Sequence, residues 1–76
     1  MNFQSRPEGG AREAKLRYLP GDYLVLSPGS FVRCAVSGQA IPLDDLRYWS
    51  AEVQEPYASA DIAFGRYEQL KAEGRV

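Results

Sequence analysis

Cys34 is the residue whose chemistry and neighbours together most resemble a site, because it opens the string Cys34-x-x-Ser37-Gly38, the outline of a zinc knuckle. A knuckle uses Cys-x-x-Cys-Gly: the tight turn lets two thiolates converge on one metal, and the glycine adopts a backbone conformation closed to other residues. The turn is kept in this chain, but Ser37, which is not a usual zinc ligand, stands in place of the second thiol. With one cysteine and no histidine in 76 residues, a closed tetrahedral site cannot be built within one chain, and two copies would bring only two thiolates. The expectation is therefore no cofactor and no stoichiometric zinc, with Cys34 as a buried structural cysteine between apolar neighbours. The absence of histidine also removes the commonest general base and every Ser-His or Cys-His nucleophile pair. Asp44 and Asp45, with Glu52 and Glu55, match neither an EF-hand nor a glycosidase arrangement and read as a solvated turn and its surroundings. Pro20-Gly21-Asp22 and Ser37-Gly38 are turns that belong to no phosphate-binding loop. On these residues the chain is not expected to be an enzyme.

A binding surface is the remaining possibility, and residues 46–50, Leu-Arg-Tyr-Trp-Ser, are the segment that could carry one. Strand alternation puts Arg47 and Trp49 on one side and Tyr48 on the other, so Tyr48 and Trp49 cannot both fill the same core. Arg17 and Arg33 alternate with apolar neighbours on strands of their own. If the strands pair in sequence order, Arg17, Arg33 and Arg47 form a row on the outer face, where with Tyr48 or Trp49 they could grip acidic peptide or stack bases. The plain alternative is that these arginines cover apolar surface and pair with Glu13, Asp22 and Glu52.

The elements that must position this surface are short. Runs rich in Leu, Val, Tyr and Phe at 15–19, 23–27 and 31–36 have strand length, and Pro-Gly precedes both the second and the third. Pro-Gly favours a type II turn, whose twist suits a two-residue hairpin poorly, so wider connections are expected at both places. Pro42 confines residues 41–43 to a sheet edge, and residues 46–50 form a further strand. Residues 52–57 are polar and carry no expected element. Ser59 is a candidate N-cap with Asp61 in the first turn, and Ala63, Phe64, Tyr67 and Leu70 recur at helical spacing toward a stop at Gly74. Together these predict a small α+β domain: an antiparallel β-meander of three to four strands over residues 14–50, covered on one face by one C-terminal helix. Its core would be Leu16, Tyr18, Leu24, Leu26, Val32, Cys34, Val36, Ile41 and Leu46 plus the helix face. Residues 1–13, with Phe3 the only aromatic among glycine, proline and charges, are expected to form a flexible tail before the domain at 14–73.

The net charge of −1 gives no general basic excess for a nucleic acid or an anionic membrane. No apolar run approaches the ~20 residues of a membrane span, and the first residues lack the apolar stretch of a secretory signal. With a single cysteine, this leads to the expectation of a cytoplasmic protein.

Two resemblances follow from particular residues. Cys34-x-x-Ser37-Gly38-x-x-Ile41-Pro42-x-x-x-Leu46 is similar to the first half of the DksA/TraR-type four-cysteine zinc finger; no cysteine stands near residues 55–58, where that family has its second pair, so its metal does not carry over. More of the chain, from Glu13-Ala14-Lys15-Leu16-Arg17-Tyr18 through Val32-Arg33-Cys34 and Leu46-Arg47-Tyr48-Trp49-Ser50 to Gln54-Glu55-Pro56-Tyr57-Ala58, resembles the domain of unknown function 2093 family of small alphaproteobacterial proteins. That resemblance implies a bacterial cytoplasmic protein and says nothing about catalytic residues. The sequence-based expectation is a non-catalytic protein-interaction module with a protein partner of unknown identity, the alternative being a small RNA-binding module built on the arginine and aromatic face.

Overall fold

Two backbone contacts near residue 30 decide the topology. The computed structural model describes residues 11–76. In it, Ser30 donates its N–H to the Arg12 carbonyl at 2.8 Å and Ala14 donates to the Phe31 carbonyl at 2.7 Å, forming a parallel bridge between Glu13 and Phe31. Gly29 makes this approach possible, since a Cβ there would collide with the backbone of Arg12, Glu13 and Ala14. Arg12 and Glu13 are thus bonded to the domain, whereas the remainder of the expected tail, residues 1–10, lies outside the described residues.

The order is β1 (Lys15–Leu19), β2 (Asp22–Ser27), β3 (Phe31–Arg33), β4 (Ala40–Pro42), a 3-10 turn at Leu43–Asp45, β5 (Tyr48–Ser50), β6 (Glu55–Tyr57) and α1 (Ala60–Ala72). The class is α+β, with antiparallel strands and one C-terminal helix as the sequence implies. The strands pair as three separate hairpins, β1–β2, β3–β4 and β5–β6, rather than one continuous meander. The reason is the bridge just described: one edge of β3 is taken by residue 13 and the other by β4, so β2 has no place beside it. Residues 31–36 also divide, because the strand ends at Arg33 and the knuckle turn begins at Cys34.

Pro20 and Gly21 form a two-residue connection in which Leu19 pairs directly with Asp22, in place of the wider loop expected. Gly21 has φ +84°, as the second corner of a type II turn requires. An isolated ribbon tolerates the twist mismatch that a larger sheet would resist, and the Trp49 indole N–H holds the Leu19 carbonyl at 2.7 Å.

The core is Ala14, Tyr18, Val32, Cys34, Ile41 and Leu46, with Tyr57 and Leu70 also buried. Leu24, Leu26 and Val36, expected inside, are exposed. Leu24 pairs with Arg17 on the outward face of the first hairpin, Leu26 is the extra residue of a bulge opposite the Lys15/Leu16 step, and Val36 sits in the knuckle turn. Ser59 caps α1, its Oγ accepting the Ile62 N–H at 3.2 Å. The helix stops in a Schellman motif, with Arg75 N–H on the Leu70 carbonyl at 2.8 Å and Gly74 N–H on Lys71 at 3.0 Å.

Candidate interaction surface

The helix presents a different face to the domain than its apolar pattern suggests. Ile62, Arg66 and Leu70, one line at i, i+4, i+8, are half-buried, half-buried and buried, while Phe64 and Tyr67 remain 66% and 46% exposed. The cause is an ion pair inside the contact. Arg66 donates through Nε and Nη2 to the two oxygens of Glu55 at 3.0 and 3.1 Å, and the Tyr57 hydroxyl donates to the same carboxylate at 2.9 Å. The Arg66 bonds hold the Glu55 carboxyl below its ordinary pKa despite partial burial. Burial and the neighbouring carboxylate push the Tyr57 phenol up to about 12. Turning the helix to bury Phe64 and Tyr67 would break this arrangement and strand a carboxylate beside a buried tyrosine.

With α1 so oriented, Ala63, Phe64, Tyr67 and Leu70 line an open groove of ≈ 610 Å³ together with Trp49, Tyr57, Pro20, Glu52 and Val76. Trp49 is the fixed wall of this groove. Besides its bond to Leu19, its ring lies edge-on to Tyr23 with centroids 5.7 Å apart and tilted against Tyr18 at 6.2 Å. Trp49 thereby ties the β5–β6 hairpin to the β1–β2 hairpin, and a tied aromatic loses little entropy when a ligand meets it.

Gln54 makes the second tie between these hairpins. It has φ +57°, a strained value for a residue other than glycine. Its side-chain amide accepts the Tyr18 N–H at 2.9 Å and donates to the Tyr18 carbonyl at 2.8 Å, as a neighbouring strand would.

Residues 34–38 form a tight turn closed on Cys34. Gly38 has φ +76° and donates to the Cys34 carbonyl at 3.0 Å, and the Ser37 N–H points at the Cys34 thiol at 3.4 Å. Burial alone would raise the pKa of that thiol, but hydrogen bonds from Ser37, Val36 and Ala58 outweigh it and the net displacement is downward. Among the described residues, no three His, Cys, Asp or Glu side chains converge as a metal site.

The five residues singled out from the sequence divide. Tyr48 is the exposed aromatic of its pair, and Trp49 is the half-buried one. Arg17, Arg33 and Arg47 are exposed, but they stand on or beside three different hairpins, so no shared ladder aligns them. Arg33 lies 5.4 Å from the Phe31 ring centroid and donates to the Gly38 carbonyl at 3.1 Å. The ion pairs among the described residues join Arg66 to Glu55 and Arg75 to Glu73 and involve none of these three arginines. Apolar periodicity assigns Phe64 and Tyr67 to the core, and nothing in the sequence marks the line through Arg66 as the inward one.

A family model described as an uncharacterized protein conserved in bacteria, DUF2093, matches residues 25–66. The chain belongs to this family. The match runs from the outer strand of the first hairpin through the knuckle turn and Trp49 to Arg66, so it includes the Glu55–Arg66 pair that orients the helix. No curated protein and no solved structure matches the chain. No helix among the described residues is long and apolar enough to cross a membrane.

Proposed function

We propose that this member of the family is a non-catalytic protein-interaction module that receives an apolar anchor side chain of a partner protein between Trp49, Phe64 and Tyr67. The observation that carries the reading is the exposure of Phe64 and Tyr67 beside a tied tryptophan. A domain this small needs its large apolar side chains for stability, and contiguous exposed aromatic surface with a polar rim is characteristic of contact sites. Arg47 and Tyr48, exposed at the start of the neighbouring hairpin, are residue types enriched at binding hot spots, although neither lines the groove. The lack of histidine and of a converging acid or thiol cluster among the described residues is consistent with binding rather than chemistry.

The test is recovery of a specific partner from the native host by tagged protein. Phe64→Ala with Tyr67→Ala is expected to abolish it, and Arg17→Ala with Arg33→Ala to leave it unchanged. A second reading, an RNA-binding module, draws support from the exposure of Arg17, Arg33 and Arg47 outside the described ion pairs. It predicts the reverse: each arginine substitution would weaken binding and lower its salt dependence, because each would remove one phosphate contact and its released counterion.

A further inference from the structure

The first hairpin has one closed edge and one open edge. Antiparallel neighbours alternate between pairs that exchange backbone hydrogen bonds and pairs whose N–H and C=O point away from the partner strand. Tyr18 directs both groups away from β2, since both are taken by the Gln54 amide at 2.9 and 2.8 Å. Its partner Tyr23 must therefore direct its own groups to the other side. Tyr23 N–H does so, meeting only the adjacent Asp22 carboxylate at 2.7 Å. Leu24 then faces β1 and Val25 again faces outward. Gln54 fills the outer edge of β1 as a surrogate strand; the outer edge of β2 has no pairing strand among the described residues.

The side chains identify the kind of neighbour this edge lacks. Leu24, Val25 and Leu26 are 51%, 54% and 66% exposed. Consecutive strand residues point to opposite faces, so a layer laid on one face would cover only one parity, whereas a strand added in the plane would flank both. The usual protections of an edge are also missing, because β2 contains no lysine and no proline, and its single charge, Asp22, stands at the end.

We propose that two copies of this chain pair antiparallel along β2 about a two-fold axis at Leu24, forming a four-stranded sheet β1–β2–β2′–β1′. In this register Tyr23 and Val25 of opposite copies exchange the outward hydrogen bonds, with Asp22 releasing the Tyr23 N–H, and Leu24 meets Leu24 of the partner copy. The ladder ends at Val25, before the bulge at Leu26. Self-pairing is favoured over an unrelated peptide because the register is self-complementary: Asp22 falls opposite Leu26 of the other copy, so no charge meets its own image. A net charge of −1 adds little long-range repulsion. Pairing also converts a marginal two-stranded ribbon into a sheet of four strands. This surface is separate from the Phe64 and Tyr67 groove, so either proposal can fail alone.

Sedimentation equilibrium of the full chain across micromolar to millimolar concentrations is expected to show a reversible monomer–dimer equilibrium. Leu24→Lys, which opposes two ammonium groups at the axis, is expected to give monomer throughout with an unchanged far-UV spectrum. Leu24→Cys is expected to crosslink as a disulfide dimer under mild oxidation, since residues facing each other in such a pair lie close enough for the bond. Leu26→Cys should crosslink far less, and the wild type, whose Cys34 is buried, should not crosslink. A wild type that stays monomeric over the whole range, a Leu24→Lys variant that still dimerises, or equal crosslinking at positions 24 and 26 would each overturn the proposal. If Leu24→Lys loses its fold, Val25→Pro takes its place and is expected to give monomer, since an outward edge position tolerates proline within the hairpin while the lost N–H belongs to the ladder between copies.

Discussion

Exchanging Leu70 and Phe64 separately for alanine distinguishes the two roles assigned to α1. Leu70 is 1% exposed and Phe64 66% exposed, although both belong to the same apolar set in the sequence. Truncating a fully buried leucine to alanine costs about 2–5 kcal/mol, the spread reflecting how far the cavity collapses. Full burial of a large apolar side chain contributes about 1.5–3 kcal/mol, so with a third of Phe64 out of water only about 0.5–1 kcal/mol is at stake there. A domain of this length loses roughly 4–8 °C of Tm per kcal/mol. Leu70→Ala should therefore lower Tm by at least about 8 °C, and Phe64→Ala by at most about 8 °C. Thermal melts followed by circular dichroism, with urea unfolding as a second probe, give both values. Equal losses, or a larger loss at Phe64, would mean that the helix buries its apolar stripe after all and that the groove does not exist in solution.

Other substitutions test the supports of that groove. Gln54→Ala should cost about 1–3 kcal/mol, as expected when the backbone N–H and C=O of the buried Tyr18 lose their partners; no change in urea midpoint would show that water replaces the amide without penalty. Gly29→Ala should unfold the domain or displace Arg12–Ala14 from β3, visible as lost protection of the Ala14 amide in hydrogen exchange, and retained protection would contradict the close approach at residue 29. The depressed Glu55 pKa implies stability that is present above the ordinary carboxyl pKa and lost as pH falls through the lower folded value. Tyr57 acts at the opposite limit: with its phenol raised from 10.0 to about 12, its neutral-state stabilisation is complete below pH 10 and lost toward pH 12. Arg66→Gln should flatten the acid limb, and an unaltered pH profile would remove Glu55 as its source. Cys34→Ser should lower Tm and leave partner recovery intact; loss of the partner at unchanged Tm would assign the thiol to binding.

Much of the architecture was legible because local signals coincide with tertiary ones. Ser59 and Gly74 mark the helix ends, Pro-Gly marks the first turn, and Ser37-Gly38 marks the turn after Cys34. Strand partnership was not legible. It depends on Gly29 admitting the backbone of residues 12–14, a contact between distant segments with no periodic signature. The helix orientation was hidden for a related reason. Apolar periodicity favours Phe64 and Tyr67 as the inward face, but the inward line is set by Arg66 meeting Glu55, a pair whose spacing carries no motif. Residues 55–57 read as polar and broken by Pro56, yet they form β6, because Pro56 lies opposite Trp49 in a two-stranded ribbon where a missing donor is tolerated. Of the five surface candidates, alternation correctly required Tyr48 and Trp49 to differ in exposure, without indicating which would be buried.

The claim that the Phe64 and Tyr67 groove is a protein-binding surface is tested most directly by photocrosslinking in the native bacterium. A photoactivatable phenylalanine analogue would be placed singly at Phe64, at Tyr67 and, as an exposed control on the same helix, at Glu68. The account predicts one discrete protein adduct shared by positions 64 and 67 and absent at 68. Adducts of equal intensity at all three positions, or no protein adduct at 64 and 67, would contradict it.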